Sequence, residues 1–238
     1  MTLIVIGACV IAGAIVVRLT GLGFALVASP LLVLLLGPFQ GVLLCNLLSL
    51  ITALAMVATH WKRIEWRRAA ELSLPALVVV PAGALLARGL PQAALSLLIG
   101  VLLLVAILLV LRTAPPRILA GRLGALPAGV LSATLNVLAG VGGPALALYG
   151  LAQRWTGPGF VATVPVCAIV MNALSLGFKG FPSLPWTDLV VAIGALLIGT
   201  VAGEFIVRRW SGANLRWMLI ALTAVGAVAA IVKGLLAR

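Results

Sequence analysis

Apolar residues arrive in long blocks separated by short charged segments, and two of the blocks are interrupted by glycine. The blocks run 2–36, 41–59, 69–87 and 92–111, then 123–153, 160–178, 188–207 and 217–236. Gly41–Thr59, Ala93–Leu111 and Phe160–Phe178 each hold 19 residues without a formal charge, the length of a bilayer crossing. Thr20-Gly21-Leu22-Gly23-Phe24 breaks the first block, and Gly140-Val141-Gly142-Gly143-Pro144 breaks the fifth. Such breaks strip backbone N–H and C=O groups of their helical partners. Lipid cannot replace those partners, so the breaks persist only where protein or a water-filled cavity covers them. Paired interruptions at matching places in two halves of a chain are the best sequence pointer to a transporter's binding site.

The pattern predicts an all-α polytopic membrane protein of about eight membrane elements. Each half is a glycine-broken element, re-entrant or discontinuous, followed by three transmembrane helices. Residues 1–111 form the first repeat, 112–122 (with Pro115-Pro116) a basic linker, and 123–238 the second repeat, together one integral membrane domain. Matching residues support duplication. Gly21-Leu22-Gly23 aligns with Gly140-Val141-Gly142 at an offset of 119. Asn46-Leu47-Leu48-Ser49-Leu50 aligns with Asn172-Ala173-Leu174-Ser175-Leu176 at 126, and Trp66, Ala82-Gly83 and Arg88 align with Trp186, Ala202-Gly203 and Arg208 at 120.

Composition fits this class: 64% of residues are hydrophobic, 8% are charged and the mean hydropathy is +1.32. A soluble domain is nearer half apolar and a quarter charged. The net charge of +12 would invite a nucleic-acid partner, but the basic residues sit in short loops between apolar segments, as the positive-inside rule expects. The loop 60–68 nets +3 and its counterpart 179–188 nets zero, whereas 88–91 nets +1 and its counterpart 208–216 nets +3. The basic side swaps between repeats, as inverted topology produces. With both broken elements as hairpins and both termini outside, the inner loops sum to +10 and the outer ones to +3. Ordinary parallel repeats with eight full crossings are the rival arrangement. Trp61, Trp66, Trp155, Trp186, Trp210 and Trp217 fall at segment ends, as an interfacial aromatic belt would place them. The first apolar run has no basic region before it and no small-residue cleavage site, so it reads as a membrane element rather than a removed signal peptide. Cys9, Cys45 and Cys167 lie within apolar segments with no His nearby, which suits packing rather than a disulfide or zinc site. No cofactor and no metal site is expected.

Thr20-Gly21-Leu22-Gly23-Phe24-Ala25-Leu26-Val27-Ala28-Ser29-Pro30-Leu31-Leu32 resembles the first-repeat signature of the TauE/SafE family, the sulfite and organosulfonate exporters. Leu138-Ala139-Gly140-Val141-Gly142-Gly143-Pro144-Ala145-Leu146-Ala147-Leu148-Tyr149 resembles the second. Ile64-Glu65-Trp66-Arg67-Arg68 followed by Pro81-Ala82-Gly83-Ala84 fits the family's link between its second and third spans. The resemblance implies a multi-pass transporter of the bacterial inner membrane that moves small anions: sulfite, sulfonates or related sulfur and carboxylate compounds. Phe24 stands where the commoner motif has a third clustered glycine.

The residues themselves say where an anion would bind. The start of a half-helix after a break offers free N–H donors and the positive end of its dipole. Candidate donors lie at Gly21, Gly23 and Phe24 and at Gly140, Gly142 and Gly143, with Pro144 suited to a first helical turn. The competing reading is that these glycines only let helices pack closely, which is the reading adopted for Gly83 and Gly203. Asn46 and Asn172, with Ser49 and Ser175 one turn on, are buried amides and hydroxyls at equivalent repeat positions. Asn136, Thr20 and Ser29 flank the breaks. Arg18 is an ionisable residue in the first broken element, drawn either to substrate or to headgroups. Glu204 pairs by spacing with Arg208, Glu71 sits beside Arg67 and Arg68, and His60 reads as an interface residue. The expected partners are a small anionic substrate and the lipid bilayer. A coupling ion (proton or sodium) and a homo-oligomer stay open. An anion channel or small-carboxylate carrier is the nearest alternative function; a scaffold or intramembrane enzyme has less in its favour.

Overall fold

The computed structural model describes residues 2–20, 24–112, 114–207 and 213–236, with side chains described for 3–15, 24–112, 114–121, 123–205 and 223–236. All the regular secondary structure among these residues is helical. The helices are α1 (Thr2–Thr20), α2 (Phe24–Leu36), α3 (Pro38–His60), α4 (Trp66–Ser73), α5 (Ala76–Gly89), α6 (Gln92–Leu111), α7 (Ala125–Ala139), α8 (Gly143–Ala152), α9 (Pro158–Lys179), α10 (Trp186–Val207) and α11 (Ala213–Leu236). Single 3₁₀ turns at Trp61–Arg63, Arg117–Leu119 and Arg122–Gly124 carry the basic connections.

Among the described residues, five stretches are long and apolar enough to cross a bilayer: Pro38–Arg63, Trp66–Gly89, Gln92–Leu111, Pro158–Lys179 and Trp186–Phe205. Their outward faces carry exposed Leu77, Val78, Leu85, Leu86, Val101, Leu108, Leu197, Ile198 and Val201. Patches of this extent are a liability in water and the required surface in lipid. The chain is a polytopic membrane protein.

The span expected at 69–87 begins earlier, at Trp66, and bends at Leu74-Pro75 between α4 and α5. Pro75 lacks the N–H that would continue α4, and its ring disfavours the preceding turn. The α2–α3 corner is equally local: Gly37 takes φ +86 and Pro38 starts α3. A proline suits a first turn, where its missing N–H would lack a partner anyway.

Packing crosses the sequence halves. Helix α1 packs along α10, whereas α7 packs on α4 and α5; α2 lies on α11, whereas α8 lies on α6. Helices α3 and α9 meet each other, as do α6 and α11. Each broken element is therefore held mainly by elements from the opposite half. One apolar cluster gathers buried residues mainly of α4–α9, among them Leu72, Ile99, Leu103, Leu148 and Met171. A second gathers Ile6, Val10, Leu32, Leu44, Leu48 and Leu196 of α1, α2, α3 and α10. Gly83 packs against Val137, which is the close-packing role expected of it.

Two expectations about position need correction. The sequence pattern makes Lys179 a loop charge, yet its side chain is 5% exposed at the end of α9. The same pattern puts Trp155 in the interfacial belt with the other tryptophans. It is buried instead, edge-on to Tyr149 and Phe160, and its Nε1–H donates to Glu65 Oε1 at 2.7 Å. Trp61, Trp66 and Trp186 are exposed, as belt residues should be. The side chains of Trp210 and Trp217 lie outside the described residues, as does Arg208, so the Glu204–Arg208 pairing does too.

Candidate functional site: a cavity at the second break

Helix α7 ends in an αL cap. Gly140 takes φ +74, its N–H donates to Asn136 O at 2.8 Å, and the Val141 N–H donates to Leu135 O at 3.1 Å. A side chain at 140 would sit in the left-handed region and 3.3–3.4 Å from Cys45 Sγ and Asn46 Oδ1. Glycine is needed there for conformation and for space. At Gly142 the constraint is room alone: a Cβ would come within 2.9 Å of Ser132 Oγ.

The carbonyls left over at the end of α7 are claimed by side chains. Lys179 Nζ donates to Val137 O at 2.8 Å, Ser29 Oγ donates to Ala139 O, and Ser132 Oγ donates to Gly142 O at 2.9 Å. Three acceptors around the break are thereby covered. Its donors are placed differently: α8 opens at Gly143 with Pro144 in its first turn, and the first N–H groups of a helix have no intrahelical partner. The Lys179 ammonium offsets the negative end of the α7 dipole, while the positive start of α8 stands against no cation among the described lining residues.

A cavity of about 90 Å³ opens at this point. One water needs roughly 10–15 Å³ measured this way, so the space holds several waters or one small ion. It is lined by Phe24 and Ala25 of α2, by Ser49, Thr52, Ala53 and Met56 of α3, and by Ser132, Asn136, Gly140, Gly142, Gly143 and Leu146 around the break. Val164, Pro165, Ala168, Met171 and Asn172 of α9 complete it. No described lining residue carries a formal charge. Pro165 also lacks the N–H that would pair the Val161 carbonyl one turn back.

Polar groups converge on this space with bonding capacity unused. Asn136 Nδ2 donates to Asn172 Oδ1 at 3.0 Å, and Asn46 Nδ2 donates to Ser175 Oγ at 2.7 Å. Asn46 Oδ1, Ser49 Oγ, Asn136 Oδ1 and Asn172 Nδ2 have no protein partner although each is shielded from solvent. Leaving such a group unpaired costs about 1–3 kcal/mol, so the cluster is built to be completed by a polar guest or by water.

The expected site residues divide accordingly. Phe24, Ser49, Asn136, Gly140, Gly142, Gly143 and Asn172 line the cavity. Asn46, Ser175 and Pro144 are buried just behind it, and Ser29 faces the end of α7. Gly21 and Gly23 lie outside the described residues, and so do the side chains of Arg18 and Thr20. Lys179, Ser132 and Met171 were not anticipated. For Lys179 the available signal was a cation adjoining an uncharged run of 19 residues.

At the basic end of the molecule a second hollow, of about 330 Å³, is lined by Arg67, Arg68, Glu71, Gly121, Tyr149 and Gln153. Arg68 pairs with Glu65 at 3.3 Å and lies over the Trp155 ring, 4.6 Å from its centroid, and Arg67 pairs with Glu71 at 3.0 Å. Helix α8 runs from the break to this hollow. His60 hydrogen-bonds locally, with its Nδ1 near Thr59 Oγ1 and Met56 O.

The family model described as "Sulfite exporter TauE/SafE" matches residues 5–230, nearly the whole chain. No curated protein and no solved structure matches it.

Proposed function

The chain belongs to the sulfite exporter TauE/SafE family, a family of membrane transporters, and on that premise we propose that it exports sulfite or a related sulfur oxyanion through the cavity at the second break. The observation that carries this reading is an uncharged cavity where the start of α8 and the unpaired Asn172 amide and Ser49 hydroxyl converge. Fixed dipoles and neutral donors hold an anion without trapping it, because no full counter-charge has to be abandoned on release. Asn136 Oδ1 adds an acceptor to these donors. A mixed set of this kind suits an oxyanion that keeps one proton, such as hydrogensulfite, or a monovalent sulfonate better than a bare dianion.

In this reading the two sequence halves are inverted repeats in a bacterial inner membrane, with the basic loops inside. The anion sits between the broken helices while the halves rock around it. Asn46 and Ser175 support the pocket wall, and the Arg67–Arg68 hollow gathers anions before they enter.

The test is a thermal-shift panel on purified protein with sulfite, thiosulfate, alkyl sulfonates, acetate and halides, followed by flux in proteoliposomes. Stabilisation by sulfite or sulfonates with saturable flux is expected. Stabilisation by acetate alone would reassign the substrate class. Flux that never saturates would make the protein a channel.

A further inference from the structure

The same cavity holds half of a symmetric arrangement. In the repeat register, Asn46 corresponds to Asn172 and Ser49 to Ser175, each at an offset of 126. Asn46 Nδ2 donates to Ser175 Oγ at 2.7 Å. Its counterpart bond would run from Asn172 Nδ2 to Ser49 Oγ, and these two atoms are both unpartnered and both on cavity-lining residues. One bond of a symmetric pair is made and the other is open.

The asymmetry extends along α3 and α9. The cavity follows the later half of α3, from Ser49 to Met56, and the earlier half of α9, from Val164 to Asn172. Met56 lies four residues before His60, so the cavity reaches toward the basic end of the molecule. The corresponding halves are packed shut. Met171, Ala168 and Ala53 line the cavity, whereas their counterparts Cys45, Val42 and Lys179 are buried and do not line it. Phe178, counterpart of Thr52, departs from this and turns outward.

We propose that the Asn172 amide and the Ser49 hydroxyl hold the oxyanion in the state seen here, and that the Asn46 amide and Ser175 hydroxyl replace them in the opposite-facing state. Each amide–hydroxyl pair closes on itself when its side of the site is shut and opens to substrate when its side is open. This rests on the transporter reading above, and it adds which donors serve each face and what bond each face must break. The energetics are balanced by construction, since one bond of the same kind exists in either state. Substrate completes whichever pair is open.

Cys45 provides the reporter, because the swap would bring it to the position Met171 holds now. The experiment uses the full chain with Cys9→Ser and Cys167→Ser, and measures Cys45 labelling by a small methanethiosulfonate without anion present. Ser175→Ala removes the bond made in this state, so Cys45 labelling should rise by about fivefold, the effect of one neutral hydrogen bond. Ser49→Ala removes the bond of the other state, so labelling should fall by a similar factor. A second reporter, Met56→Cys in a background that also carries Cys45→Ala, should respond in the opposite sense to each. The double variant Ser49→Ala/Ser175→Ala should return toward the parent rate, which a simple packing defect would not do. Labelling that moves the same way in both single variants, or in neither by twofold, overturns the swap even if sulfite still stabilises the parent protein. Absence of stabilisation by any oxyanion in the parent overturns the transporter reading itself.

Discussion

The two glycine-bearing interruptions bring different things to the same cavity. The second brings backbone: Gly140 in the left-handed region, the opening turn of α8, and carbonyls capped by Lys179, Ser29 and Ser132. The first brings a wall. Helix α2 begins at Phe24, which is 4% exposed and fits against Gly13 as well as lining the cavity. Among the described residues, the second element thus supplies backbone to the cavity and the first supplies a side-chain wall. Ser29 then ties that wall to the end of α7.

Several measurements break or sharpen that contrast. Gly140→Val should have the largest effect. A non-glycine residue at φ +74 costs about 1–2 kcal/mol before any crowding, and Cys45 and Asn46 leave no room. Sulfite flux should fall to background with membrane insertion retained; normal flux would remove the second break from the site. Lys179→Met should follow. Losing a cation at a buried helix C-terminus costs up to about 2 kcal/mol, so the unfolding midpoint should fall by roughly 4–8 °C and sulfite binding should weaken as the break loosens. Unchanged binding would mean that Lys179 only caps α7.

The third test varies pH. If the acceptor Asn136 Oδ1 recognises a proton on the ligand, half-saturation by total sulfite should rise as pH climbs through sulfite's second ionisation, whereas a permanently monovalent sulfonate should show a flat profile. A rise shared by both ligands would place the titrating group on the protein instead. Phe24→Ala comes next: the widened wall should shift preference toward bulkier sulfonates by about tenfold, the lower end of what one methylene's difference in a pocket supports. Equal preference would show that the first break does not touch substrate. The smallest effect belongs to Trp155→Phe. It removes the donor to Glu65 and should cost about 1 kcal/mol of stability, read as a lower unfolding midpoint with unchanged half-saturation for sulfite.

Much of this was visible in the residue pattern, for reasons that can be stated. A break such as Gly140–Pro144 is legible because only glycine solves its geometry and only a cavity tolerates its backbone. Asn46, Ser49, Asn172 and Ser175 were legible because amides inside apolar spans must be satisfied. Their pairing was not, since which amide meets which hydroxyl is decided by how α3 crosses α9. Lys179 was misjudged because a cation at the edge of an apolar run looks the same whether it turns to water or inward. Trp155 was misjudged because its partners, Glu65 and Arg68, come from a distant segment. The α4–α5 bend had its signal in Pro75, outweighed by continuous hydrophobicity on both sides.

The hydroxyl of Ser29 on the Ala139 carbonyl has a mechanical consequence. It joins α2 to α7 inside an apolar medium, where parting them would strand a carbonyl at a cost of a few kcal/mol. The two interrupted elements are therefore latched to one another at this point, and any rocking of the halves has to carry that latch or release it.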